Sequence, residues 1–263
     1  MDLRFRDLVA DSLNSKYHSR SQFGGRLAES WASENAYCLN CGHIRLDQLA
    51  PNTPVHDYEC SRCSAQYQLK AKRGSIGNVI RNSSYQVKID SIRSGKNPSY
   101  LFLRYDLDRL MVRDLVAVPR HFVTPAIIRK YPPLRASARR AGWVGSALLL
   151  GSLPPEARIH VVRDYSETPK SQVLGTWSRF ANLATKPVDT RGWITEVLAC
   201  VRRIQSQGEI EFHNDDIYQF ESELSSRYPA NVNIRPKIRQ KLQDLVRLGV
   251  VARIEAGRYR IVG

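Results

Sequence analysis

The chain has 263 residues and an apolar content of 42%, which suits one large globular domain or two ordinary ones. Its formal net charge at pH 7 is +15, so the first partner to consider is a polyanion such as nucleic acid. No apolar run approaches the roughly 20 residues that span a bilayer, and the charged first residues lack an apolar signal segment, so we expect a cytoplasmic protein without a membrane partner.

The first two thirds of the chain predict a mixed α/β sheet. A helix is predicted over residues 5–34, with a break at Gly24-Gly25, and a second helix within residues 75–93. Strands are predicted where aromatic and apolar residues concentrate, over residues 67–72, 100–107, 115–125 and 158–165. The order strand, helix, strand, strand favours a mixed sheet.

Residues 166–190 have no clear period and predict a partly helical connector. Beyond it, helices are predicted over 193–204, over 216–228 with Asn214 or Asp215 as its cap, and over 234–249 with Asn233 as its cap and Gly249 at its end. A hairpin with its turn at residues 255–257 completes the chain. Three helices and a hairpin resemble the winged-helix family, so we expect a first domain over 1–184 and a winged helix over 185–263.

In a winged helix, the third helix enters the major groove. Asn233, Arg235 and Lys237 at the start of this helix are the predicted contacts to bases or backbone, because amides and guanidinium groups can pair with base edges. Winged helices also serve as protein-interaction modules, and that alternative stays open. Trp193 and Cys200 on the first of these helices are expected in the core.

Four of the five cysteines form two CxxC pairs separated by 18 residues. Cys38, Cys41, Cys60 and Cys63 have the spacing of a four-thiolate zinc site, and Gly42 suits the tight turn of a knuckle. A closed set of four ligands predicts a structural metal. A redox dithiol pair or an iron–sulfur cluster is the alternative.

An acid before the second cysteine pair and a polar strand after it indicate a candidate nuclease centre. Asp57 follows Pro54 by three residues, and Gln68 and Lys70 lie two apart, which places both on one face of a strand. Oxygen ligands for a divalent ion beside a cation are what metal-dependent phosphodiester hydrolysis requires. The pattern approaches PD…(D/E)xK, with Gln68 where a carboxylate is expected. The alternative is that these are polar residues on a zinc-ribbon hairpin.

The whole chain resembles the DpnI family of restriction endonucleases. The resemblance is carried by YCLNCG (37–42), VHDYECSRC (55–63), YQLKAK (67–72), NPSYLFLRY (97–105), VPRHFVTP (118–125), ARRAGWVG (138–145), RGWITEVLACVRRI (191–204) and IRQKLQDLVRLGVV (238–251). It implies an α/β PD-(D/E)xK-type nuclease core with an inserted four-cysteine zinc ribbon, joined to a small α+β winged-helix domain.

The resemblance also implies the activity. The family cleaves double-stranded DNA at GATC when the adenine carries an N6-methyl group, and both domains read the methylated sequence. Asp57 and Lys70 match the catalytic Asp and Lys, and Asp57 and Gln68 would hold Mg²⁺ or Mn²⁺. Gln68 replaces the family's Glu, which weakens a site for a divalent ion; Glu59 or Glu29 is a candidate to compensate.

Reading a methyl group requires an apolar surface, or wall, that buries it. Transfer of one CH₃ from water to such a surface is favourable by about 0.8 kcal/mol. Trp143 is the candidate wall in the first domain, with Arg139 and Arg140 nearby for phosphate or guanine; Trp143 in the core is the alternative.

We therefore expect a type II, methyl-directed endonuclease, monomeric in solution and located in a prokaryotic cytoplasm. One alternative is a reader of methylated DNA that lost cleavage with Gln68, and another is a transcription regulator built from a zinc ribbon and a winged helix.

Overall fold

The computed structural model describes residues 1–5, 19–50, 53 and 55–262. The first part of the chain forms a seven-stranded mixed sheet and a smaller three-stranded sheet. Its elements are α1 (Arg20–Asn35), β1 (Asp47–Gln48), β2 (Tyr58–Glu59), β3 (Gln66–Lys72), β4 (Val79–Ser84), α2 (Tyr85–Arg93), β5 (Ser99–Asp106), β6 (Met111–Val118), β7 (Ile128–Pro133), β8 (Val144–Leu149), β9 (Ile159–Arg163), β10 (Ser166–Glu167) and α3 (Lys170–Arg179).

The seven-stranded sheet has the order β1-β2-β3-β5-β6-β9-β10. β3 and β5 run parallel, with Gln68 opposite Tyr100, and the other described pairs of this sheet are antiparallel. Because side chains alternate along a strand, β5 contributes side chains to two hydrophobic cores, one on each face of the sheet. Its Leu101 and Leu103 pack in the core that includes α1, whereas Tyr100 and Phe102 pack in the core that includes α2. The predicted mixed α/β sheet is confirmed.

The smaller sheet, in the order β4-β8-β7, differs from the prediction. The segment 75–93 is predicted as helix, yet its first part is β4, which pairs antiparallel with β8. β4 alternates between exposed and half-buried residues, the pattern of an edge strand with one covered face. Only Tyr85–Arg93 is helical, and this helix packs on all three strands.

The predicted break at Gly24-Gly25 is wrong, because α1 continues through both residues. A Cβ atom at Gly24 would lie 2.4 Å from Cε2 of Tyr105. The glycine therefore permits close packing of α1 on β5 and does not interrupt the helix. Residues 6–18 of the predicted helix lie outside the described part of the chain.

The C-terminal part is a winged helix. Its elements are α4 (Val188–Ser206), β11 (Glu211–His213), α5 (Asn214–Tyr218), α6 (Glu221–Arg227), α7 (Ile234–Arg247), β12 (Val251–Glu255) and β13 (Arg258–Ile261), with sheet order β11-β13-β12. Trp193 and Cys200 are buried, as expected. The hairpin turn contains Gly257 with φ +77°, as its sequence indicates.

The ends of the winged-helix elements follow the prediction in part. α7 ends at Gly249 (φ +65°), where the N–H groups of Gly249 and Val250 donate to Val246 and Leu245, a Schellman motif. Asn233 precedes α7, but its side chain makes no capping hydrogen bond.

The prediction of a single helix over 216–228 is wrong. The segment forms two helices, α5 and α6, separated by Gln219 and Phe220. His213 precedes α5, so Asn214 and Asp215 lie in the first turn and not at the cap. Phe220 is buried in the core, and the chain bends there to insert it.

The two parts share one continuous core. Phe122 and Phe180 of the first part pack in the same cluster as Trp193 and Ile194 of α4. A nearly buried ion pair between Arg202 and Glu156 also joins them, with 2.6 Å from Nε to Oε1. The predicted boundary at residues 184/185 remains a prediction. Among the described helices, none combines the length and apolar character that a bilayer span requires.

Candidate active site and metal centre

The four cysteines predicted as zinc ligands come together. Their Sγ atoms all lie within 4.8 Å of one another, with 3.6 Å between Cys38 and Cys63 and 3.7 Å between Cys41 and Cys60. A tetrahedral zinc site with Zn–S bonds of about 2.3 Å has edges of about 3.8 Å, so the cluster fits zinc in size and ligand type. Burial raises the pKa of the Cys38 thiol to about 12, and a bound cation offsets that cost of ionisation.

Two knuckles of the same shape hold these ligands. In the first, Gly42 N–H donates to Cys38 O, and in the second, Ser64 N–H donates to Cys60 O, each over 2.8 Å. Both residues have positive φ, +74° and +53°. Gly42 fulfils its predicted role, and Ser64 adopts the same left-handed conformation without glycine's freedom.

Tyr67 connects the cysteine cluster to β3. Its side chain is fully buried, and its hydroxyl lies 3.3 Å from Cys38 Sγ. The same hydroxyl accepts hydrogen bonds from the N–H groups of Leu39 and Asn40. Because Tyr67 directly precedes Gln68, the first knuckle fixes the position of the strand that carries Gln68 and Lys70.

Asp57, Gln68 and Lys70 line one cleft of about 350 Å³, where β3 continues beyond its pairing with β2. Asp57 is held by two contacts to β3: its N–H donates to Tyr67 O over 2.9 Å, and its Oδ2 accepts from Leu69 N–H over 2.8 Å. The cleft therefore brings together the three residues that the sequence predicts. Pro54 lies outside the described residues.

The side-chain oxygen of Gln68 is buried and has no hydrogen-bond partner among the described residues. Leaving a buried carbonyl oxygen unpaired costs roughly 1–3 kcal/mol, so this oxygen is available to a cation or to a water molecule. An amide oxygen beside a carboxylate is a donor set that hard divalent cations accept, although the neutral amide weakens the site.

Lys88 lies near this site, although it does not line the cleft, and the sequence interpretation missed it. It is only 2% exposed, its Nζ lies 5.2 Å from the centroid of the Tyr100 ring, and no ion pair to a described residue holds it. Burial and the nearby Lys70 lower the pKa of Lys88 to about 8, although Asp57 acts in the opposite direction. Burial also lowers the pKa of Lys70, again against Asp57.

The sequence did contain a signal for Lys88. It lies three residues after Tyr85 and four before Ile92, on the stripe by which α2 packs. A lysine on an apolar helix face is unusual, because an unpaired ammonium group is costly to bury. Tyr100, which Lys88 faces, also accepts a hydrogen bond from Asn82 over 3.0 Å and is adjacent to Gln68 in the sheet.

The two acids considered as substitutes have different positions. Glu29 on α1 lines the cleft and pairs with Arg26, 2.7 Å between Nη1 and Oε2. Glu59 does not line the cleft and lies close to His56 and Gln66 instead. Glu29 is therefore the better-placed acid.

The family models match nearly the whole chain. The model described as the Dam-replacing family, DpnI, matches residues 1–186, and the model described as the Dam-replacing HTH domain, DpnI_C, matches residues 189–261. The chain belongs to the DpnI family. Membership supports a restriction-type function that depends on DNA methylation and DNA binding by the winged helix.

In this DpnI-family chain, the predicted DNA contacts of the first part lie on one loop. Arg139 and Arg140 are exposed in the segment between β7 and β8, and Trp143 is half-buried. The guanidinium group of Arg140 lies 4.8 Å from the centroid of the Trp143 ring. Trp143 thus lies at the surface beside a cation, a position compatible with the predicted wall.

The predicted contacts of the winged helix lie at the start of α7. Asn233 and Arg235 are exposed and Lys237 is half-buried. Arg235 pairs with Glu221 over 2.7 Å and lies over the Tyr218 ring, so it needs to exchange one partner to reach DNA. Val232, which is 89% exposed just before α7, was not predicted.

Proposed function

We propose that this chain is a type II restriction endonuclease that cleaves double-stranded DNA at N6-methyladenine sites, with G(m6A)TC as the favoured sequence. The observation that carries the proposal is the convergence of Asp57, Gln68 and Lys70 in one cleft, where the buried Gln68 oxygen has no partner among the described residues. Membership of the DpnI family supports the methyl-directed substrate.

Asp57 and Gln68 would hold a divalent cation, Mg²⁺ or Mn²⁺, which when bound supplies Lewis-acid activation of the phosphodiester and of water. Asp57 is ready for this role, because Leu69 N–H orients one carboxylate oxygen and leaves the other without a partner among the described residues. Lys70 lines the same cleft, where its ammonium group would stabilise charge developing on the scissile phosphate.

The ammonium group of Lys70 in the cleft and that of the nearby Lys88 make the cleft attractive to a phosphodiester and less so to a dication. We therefore expect weak binding of Mg²⁺ by the free protein and tighter binding once DNA phosphate contributes a charge. The same balance favours the second candidate function, a reader of methylated DNA that does not cut. A transcription regulator without a nuclease cleft leaves the Asp57 cleft unexplained.

Cleavage of a plasmid carrying fully methylated GATC, with Mg²⁺ or Mn²⁺, tests the proposal. Asp57→Asn and Lys70→Ala should each lower the cleavage rate by at least ~10²-fold while the affinity for the methylated duplex stays within a few fold. Asp47→Asn is the matched control, because Asp47 is an exposed carboxylate on the neighbouring strand β1.

Undiminished cleavage by either variant would remove that residue from the mechanism. An inactive wild type that still prefers methylated duplex would establish the reader instead.

A further inference from the structure

A second cleft, of about 900 Å³, lies between the first part of the chain and the winged helix. It is lined by the end of α2, by the 120–126 segment after β6, by the start of α4 and by the end of α6. None of the residues discussed for the Asp57 cleft lines it. We name it the Arg191 cleft after the side chain that makes it unusual.

Within the described part of the chain, Arg191 is buried without a counter-ion. The residue is 2% exposed, its Nε has no hydrogen-bond partner among the described residues, and none of their carboxylates forms an ion pair with it. Burial and the nearby Arg120 lower the pKa of Arg191. An uncompensated guanidinium group is costly to bury, so binding of an anion there would be favoured strongly.

Two further unpaired polar groups line the same cleft. Thr124 is 1% exposed, and neither its Oγ1 nor the hydroxyl of Tyr228 has a partner among the described residues. Gly192 makes room for that hydroxyl, since a Cβ atom at this position would lie 2.8 Å from it. The guanidinium group and two hydroxyls are hydrogen-bond donors suited to an oxyanion.

The first turn of α4 adds a helix N-terminus. α4 has 19 residues and begins after Pro187, which provides no side-chain cap, so its first N–H groups are open. The positive end of a long helix favours an anion. Asp189 in this turn is exposed and opposes the effect in part, while Arg93, Arg120 and Lys186 add positive charge. Arg227 also lines the cleft, but its charge is neutralised by ion pairs with Glu196 and Glu223.

We propose that the Arg191 cleft binds a phosphate group, carried by a small phosphorylated molecule or by DNA. The flat fork of a guanidinium group matches phosphate oxygens in pairs, and the cleft volume lies within the range of small-molecule sites. A free, small ligand fits the burial of Arg191 best, because the backbone of a duplex reaches exposed side chains more easily than one at the bottom of a cleft. This site shares no lining residue with the proposed nuclease cleft.

Thermal unfolding of the full-length, zinc-loaded protein without DNA tests the site. At constant ionic strength, replacing chloride by inorganic phosphate or deoxyadenosine monophosphate should raise the Tm of the wild type by roughly 5 °C at saturating concentrations. Arg191→Met should lose this rise, and its Tm in chloride should equal or exceed that of the wild type because the unpaired charge is gone. Arg191→Lys should keep part of the rise.

Arg45→Gln is the matched control, because it removes one exposed positive charge far along the chain from the cleft residues. It should keep the full rise. If Arg191→Met does not fold, Arg120→Gln replaces it, since Arg120 is half-buried and its Nη1 donates only to Gly95 O. A rise that persists in the Arg191 and Arg120 variants, or that Arg45→Gln also loses, would overturn the proposal.

Binding of a short duplex distinguishes the two sources of phosphate. If the phosphate belongs to DNA, Arg191→Met should weaken duplex binding and reduce the slope of log affinity against log salt by about 1. If the ligand is a free phosphorylated molecule, duplex binding should be unchanged while the Tm response to phosphate is lost. The absence of both effects would contradict any phosphate site in this cleft.

Discussion

The cysteine cluster and the Asp57 cleft are neighbours on one hairpin, yet they are built in opposite ways. The cluster has four equivalent thiols at distances that suit a single tetrahedral cation, with Tyr67 supporting Cys38 from β3. The cleft is lined by the carboxylates of Asp57 and Glu29, by Lys70 and by Gln68, whose amide oxygen has no partner among the described residues. Burial lowers the pKa of Lys70 and of the nearby Lys88. The first arrangement stabilises the fold, whereas the second costs stability, which is typical of a site kept for function.

The largest effect is expected from removing a thiol of the cluster. Cys60→Ser should lose zinc and prevent cooperative folding of the first part of the chain, because structural zinc binding contributes about 10 kcal/mol or more, comparable with the whole stability of a domain. Zinc content per chain and thermal unfolding measure this. Cys200→Ser, at the buried cysteine outside the cluster, should keep the zinc and lower the free energy of unfolding by only about 1 kcal/mol. One zinc per chain and an unchanged Tm in Cys60→Ser would show that the cluster is not the metal site.

The next effect tests the missing carboxylate of the cleft. Gln68→Glu should lower the Mg²⁺ concentration for half-maximal cleavage by about tenfold or more, because a charged oxygen replaces a neutral one as a ligand. If the wild type binds methylated DNA without cutting it, Gln68→Glu should make the protein cut.

Gln66→Glu is the control for added charge, since it lies on the same strand but close to Glu59. An equal response in both variants would mean that the effect is general electrostatics and not ligation at Gln68.

A third prediction concerns the stability that the protein loses by burying Lys88. Lys88→Met should raise the free energy of unfolding at pH 7 by roughly 3 kcal/mol, because a pKa lowered to about 8 from 10.5 means that the folded state disfavours the charged amine. Above about pH 8, the folded protein releases this proton while the unfolded chain holds it up to about 10.5, so wild-type stability rises with pH across that window.

The difference between wild type and Lys88→Met should therefore shrink from about pH 8 to about pH 10, as measured by urea unfolding. Lys96→Met, at an exposed position, should show no such trend. A Lys88→Met variant less stable than wild type at neutral pH would mean that Lys88 has a stabilising partner.

The smallest effect is expected at the DNA surface. Trp143→Ala should reduce the preference for methylated over unmethylated duplex by about fourfold, the equivalent of one buried methyl at about 0.8 kcal/mol. Arg140→Gln should instead weaken binding to both duplexes equally. If Trp143→Ala lowers both affinities by the same factor, Trp143 supports the loop and does not read the methyl group.

The sequence predicts features whose pattern is local or whose spacing is specific. The CxxC pairs predict the thiol cluster, and alternation along residues 67–72 predicts that Gln68 and Lys70 share a face. The end of α7 is predicted well because glycine, found at Gly249, is almost the only residue type that favours the left-handed conformation there.

Features that depend on distant packing were not predictable in this way. The Gly24 position in α1 is decided by the ring of Tyr105, which the sequence does not place beside it. The interruption at Phe220 is decided by burial in the core, and β4 becomes a strand only because β8 pairs with it. Lys88 was missed for the same reason, since Lys70 and Asp57, the charged groups that affect its pKa, come from other parts of the chain.

The two parts of the chain cannot be separated without exposing apolar surface. A continuous core joins them, from Phe122 and Phe180 to α4, and the Arg202–Glu156 ion pair adds a polar contact. A cut between residues 186 and 189, where the two family models meet, would expose the apolar faces of both fragments. The winged helix therefore cannot be replaced on its own by that of another protein. Grafting one from another family member requires the 120–122 and 156 positions to be transferred with it, and isolated halves should aggregate under conditions in which the whole chain does not.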